Sequence, residues 1–107
     1  MKLCKLHRDK DKDVMFVGEL RGKVSSNTDG STRWTEIRIF KTQLGNWITS
    51  IVGRTLHEDE HDRRKVVLCG SDDDALVDAL RGESGDLGWL AKKALDEVDV
   101  DYTEFVL

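Results

Sequence analysis

The sequence reads as an α+β domain: an antiparallel sheet of about four strands, followed by two helices packed on one of its faces. Two observations lead there. Between residues 14 and 69, β-branched and aromatic runs alternate with turn clusters. Beyond residue 70 the apolar spacing switches from two to three and four, the mark of helices. The length of 107 residues fits a single domain able to fold without staples.

Residues 1–13, ending in "RDKDKD", read as a charged lead-in that frays into solvent. The first strand is expected over 14–24, "VMFVGELRGKV", and the cluster "SSNTDGS" then turns the chain. Strands follow at 32–41 and 46–54, and the short loop between them carries Gly45, a hairpin signal. "KVVLC" at 65–69 reads as a short buried strand.

A helix is expected over 72–81, capped by Ser71, with Asp72, Asp73 and Asp74 in the turn where the helix dipole favours negative charge. Ala75, Leu76, Ala79 and Leu80 form its apolar stripe, and Gly82 ends it. A second helix spans 86–98, where Leu87, Leu90, Ala91, Ala94, Leu95 and Val98 fall on one face. The tail "DVDYTEFVL" either adds an edge strand or docks on the core.

Cys4 and Cys69 are the only cysteines and form no paired motif, which points to a reducing, cytoplasmic setting. The amino terminus lacks the apolar core of a signal peptide, and no apolar run approaches the ~18 residues of a membrane helix. Charge is unevenly spread: 11 Lys/Arg against 6 Asp/Glu up to residue 55, and 6 against 15 thereafter.

"HEDEH" at 57–61 has the H-E-x-x-H spacing of zinc hydrolases. That chemistry needs both histidines on one face of a buried helix, plus a third ligand. The positions three and four residues from His57 and His61 are charged or glycine, with no apolar stripe. The expectation is a solvated loop, with no metal. No phosphate loop, dinucleotide fingerprint or nucleophile elbow occurs, so no cofactor and no enzymatic activity are expected.

If the hairpin closes with Phe40 opposite Trp47, Ile37, Ile39, Ile48 and Val52 share the core face with Val14, Phe16 and Leu20. Trp34, Arg38, Phe40 and Trp47 then share the outer face with Arg21 and Lys23, an aromatic and cationic mixture suited to binding. A second surface is acidic, built from Asp72, Asp73, Asp74 and Asp78. The expected role is a small cytoplasmic binding or regulatory protein, an accessory or inhibitor of prokaryotic or phage style. It would act on an unidentified protein partner or by self-association. A nucleic-acid module using Arg21, Lys23, Arg33, Trp34, Arg38 and Lys41 is the rival. The interleaved Glu19 and Glu36 and the net charge of −4 weigh against it.

Overall fold

The structure, a computed structural model, describes residues 1–104 and 106–107. It is an α+β fold in which a five-stranded antiparallel meander, order β1-β2-β3-β4-β5, precedes two helices. The strands are β1 (Lys2–Leu6), β2 (Val14–Ser25), β3 (Arg33–Thr42), β4 (Trp47–Thr55) and β5 (Arg63–Gly70). The helices are α1 (Asp73–Ala79) and α2 (Trp89–Glu97). Among the described residues, no helix is long and apolar enough to cross a membrane.

The charged lead-in is the first correction, because its residues 2–6 form β1. Cys4 and Leu6 alternate with Lys5 and turn toward Phe16 and Val14, their partners on β2. That inward apolar pair, rather than the lysines, decides the state of the segment. The loop after β1 then reaches across to β5. Asp9 N–H donates to the Arg64 carbonyl at 3.0 Å, and Asp9 Oδ2 accepts the Arg64 N–H at 2.9 Å. These two bonds draw the ends of the sheet together, so the meander curls.

β2 serves two partners in succession. Val14–Gly18 pairs with β1, and Gly18–Ser25 pairs with β3. The register slips between Leu20 and Gly22, a bulge at Arg21. A bulge inserts one residue and reverses which face the following side chains take. Val14, Phe16 and Leu20 therefore lie on the Phe40 side, whereas Gly22 and Val24 lie on the side of Ile39 and Ile37. A Cβ on Gly22 would stand 2.9 Å from Val98 Cγ1 and 3.1 Å from Glu97 Cβ, so glycine lets α2 settle onto β2.

The helices are shorter than their periodicity predicts. Asp72, not Ser71, is the N-cap of α1 and accepts the Asp74 N–H at 3.0 Å. α2 starts at Trp89 instead of residue 86, because Gly82, Gly85 and Asp86 are tied into a turn. Beyond α2, Asp99 adopts φ 56°, its N–H bonds the Asp96 carbonyl, and Val100 N–H bonds the Leu95 carbonyl. This is a Schellman ending with aspartate where glycine is usual, and it turns Val100 into the core.

Apolar side chains fill both faces of the sheet. Under the helices, Val24, Ile37, Ile39 and Trp47 pack against Leu76, Val77, Leu80, Leu90, Ala94 and Leu95. Inside the curl, Cys4, Phe40, Ile48 and Val66 form a second cluster with Leu6, Val14 and Phe16 at its margin. β5 is an edge strand with Val66 its one buried residue, not the short buried strand read from "KVVLC".

Candidate interaction surface

The aromatic and cationic face read from the sequence is divided between two layers. Lys41, not Phe40, stands opposite Trp47, and Phe40 pairs with Ile48. The cause is local: Thr42 bonds Asn46 N–H through its hydroxyl and donates its own N–H to the Asn46 carbonyl, and Gly45 takes φ 85°. The loop is thereby displaced one residue along the chain, and a one-residue slip exchanges the faces of a strand.

Trp47 is 5% exposed beneath α1, where its Nε1–H donates to Asp73 Oδ1 at 2.8 Å. Lys41 Nζ lies 4.5 Å from its ring centre. Phe40 is 8% exposed inside the curl, edge-on to Phe16 with ring centres 5.4 Å apart. Neither aromatic is available to a partner. Ile48 and Val52, expected under the helices, face the curl instead. Arg21 projects from the bulge and pairs with Glu19 at 2.7 Å. Of the predicted set, Trp34, Arg38 and Lys23 share the curl-side face with the buried Phe40.

That face carries a chain of ion pairs centred on Glu36 and Asp62. Trp34 Nε1–H donates to Glu36 Oε1 at 3.2 Å, and Arg54 Nε sits 3.3 Å from the same oxygen without the alignment of a hydrogen bond. Arg54 Nη1 donates to Asp62 Oδ2 at 3.1 Å, and Asp62 Oδ1 accepts the Thr55 N–H at 3.0 Å. Burial pushes the Glu36 carboxyl up, but Trp34, Arg54 and Arg38 together outweigh it and hold it below its usual range. The Thr55 N–H, and then the Arg54 guanidinium, likewise lower Asp62. These carboxylates are held ionised by their partners, which suits a brace rather than proton transfer.

The braced element is the loop containing His57 and His61. It is irregular rather than helical, and His57, Glu58 and His61 are exposed. Among the described residues, no three His, Cys, Asp or Glu side chains converge as a metal site. Arg33 grips Glu60 with two bonds, 3.0 and 2.9 Å long, and Thr55 Oγ1–H adds a third at 2.8 Å. The Arg33 bonds lead in lowering Glu60 from 4.5 to about 2.

A carboxylate lowered in the folded state stabilises the protein above its unfolded value and loses that contribution as pH falls through its folded value. Glu60→Gln should therefore be less stable than the natural chain above pH about 4.5, with the gap closing toward pH about 2. Denaturant titrations across that range measure it; a gap independent of pH would refute the assignment.

The acidic residues of α1 are exposed but partly occupied. Asp72 caps the helix, Asp73 holds Trp47, and Asp78 meets Arg81 at 3.2 Å. A different surface emerges where the helices stop. α1 lies over β4 and β5, and α2 over β3 and the second half of β2 at Gly22, so the first half of β2 and β1 stand beyond the main helix contacts on that side. Leu3 (64% exposed), Met15 (58%) and Val17 (42%) stand there together, with Leu3 directly opposite Val17 and Met15 opposite Lys5. Their one sequence signal is "VMFV", apolar at both parities, which marks a strand with apolar neighbours on both faces. No family model, curated protein or solved structure matches the chain.

Proposed function

We propose that this protein is a non-enzymatic, regulatory protein-binding module. Its contact surface is the Leu3, Met15 and Val17 strip together with the free edge of β1, and its occupant is an extended partner segment that adds as a sixth strand. The carrying observation is the exposure of those three side chains on neighbouring strands, with Leu3 in direct register with Val17. Contiguous exposed apolar surface with a polar rim marks binding sites, and here Lys5 and Glu19 supply the rim. β1 is the last strand of the sheet, so one side of its backbone is free to pair with an incoming strand. The free thiols Cys4 and Cys69 lie in different clusters on opposite faces of the sheet, which supports a reducing, cytoplasmic setting.

The test is affinity capture from host extract with the natural chain and with Leu3→Glu/Val17→Glu, followed by amide exchange on the complex. The expected result is a partner lost by the double variant and slowed exchange in β1. A partner retained by the variant, or β1 amides unprotected in the complex, overturns the reading. A self-associating chain dispersed by the double variant would replace the partner segment with a second copy.

A further inference from the structure

We infer that the cavity at the β3–β4 end of the sheet, between the β1–β2 loop and β5, binds the phosphodiester backbone of single-stranded nucleic acid. This surface is separate from the strip, and its cations lie outside the nucleic-acid set read from the sequence, with which it shares Trp34. Gly53 forms its floor: the nearest atom to a Cβ there is Arg63 Cβ at 3.8 Å, so the space stays open. Lys10, Arg63 and Lys65 line it, are exposed, and among the described residues have no carboxylate within 4.0 Å.

Four of the five lining carboxylates are already engaged. Asp9 accepts the Arg64 N–H, Asp11 faces Arg8, and Glu60 and Asp62 are held by arginines. The two Asp9–Arg64 bonds also fix Lys10, held at φ 63°, beside β5. The site thus has a surplus of positive charge although the protein is acidic overall.

The spacing indicates a chain of anions rather than a single ion. Arg63 and Lys65 are two residues apart on one face of β5, about 6–7 Å along the strand, and Lys10 lines the same cavity. The half-buried Trp34 lines an adjoining cavity that shares Lys10, Gly53 and Arg63 with this one, and an aromatic beside a cationic groove is the arrangement that holds single strands. One lining carboxylate, Glu83, has neither a cation nor a backbone N–H on it among the described residues and opposes binding.

The experiment is anisotropy of a labelled oligothymidylate across a salt series, with the full chain. Binding should weaken linearly in log–log form. Lys10→Gln, Arg63→Gln and Lys65→Gln should each weaken it at low salt and reduce the slope by roughly 0.7. Glu83→Gln should tighten binding, and Leu3→Glu/Val17→Glu should leave it unchanged, which separates this site from the strip. Absence of binding at low salt, or cation variants that bind like the natural chain, overturns the proposal. So does binding of tripolyphosphate or polyglutamate in the groove without binding of the oligonucleotide.

Discussion

Trp47→Ala is expected to lower the unfolding free energy by about 3–5 kcal/mol, the range for truncating a buried tryptophan. The side chain fills the space between β4 and α1, and its removal leaves a cavity among Ile39, Leu76 and Leu80, members of the same cluster. It also strips Asp73 of the indole N–H at 2.8 Å. Trp47→Phe separates the two contributions. Most of the apolar contact survives while the hydrogen bond is lost, so a smaller loss of about 1–2 kcal/mol is expected. Were Trp47 on the exposed face instead, truncation would fall within about 0.5 kcal/mol. Denaturant unfolding of the two variants therefore reports on strand register directly, and a small effect from Trp47→Ala would refute the burial.

That same residue shows where the sequence was legible and where it was not. In "RWTEIRIF" the isoleucines alternate with Glu36 and Arg38, so period two alone assigns Ile37 and Ile39 to the helix side, and they are there. "NWITSIVGR" carries apolar residues at both parities because β4 is an interior strand with a cluster on each face. Alternation cannot choose between its faces, and the hydrogen bonds of the Thr42–Asn46 loop make the choice. β2 adds a further ambiguity, since the bulge at Arg21 breaks the parity count midway. The helices were legible because their stripes are unambiguous, although the turn at Gly82–Asp86 shortens the second. The irregular loop at 57–61 was legible through the polarity of its neighbours. The strip was not: its exposure depends on how far the helices reach, a tertiary property no local pattern encodes.

The strip also depends on how β1 is attached, and Gly18→Ala should weaken that attachment. Gly18 is the residue at which β2 passes from one partner to the other, pairing with Lys2 and with Thr42. A Cβ there would stand 2.5 Å from the Lys41 carbonyl oxygen, 3.0 Å from Thr42 Cα and 3.1 Å from Phe16 Cδ2. The first two are backbone atoms, so the strands themselves must shift, and overpacking of this kind costs about 1–3 kcal/mol. Gly53→Ala is the control, because its Cβ meets ordinary contact at 3.8 Å. Relief of glycine's unfolded-state entropy should make that change neutral or stabilising by up to about 1 kcal/mol. The two substitutions are chemically identical and should differ in sign. Amide exchange in Leu3–Leu6 should quicken in Gly18→Ala beyond what its global stability explains, since the displaced backbone lies where β1 joins the sheet. Equal effects at the two glycines would refute the close approach of β2 and β3 at Gly18.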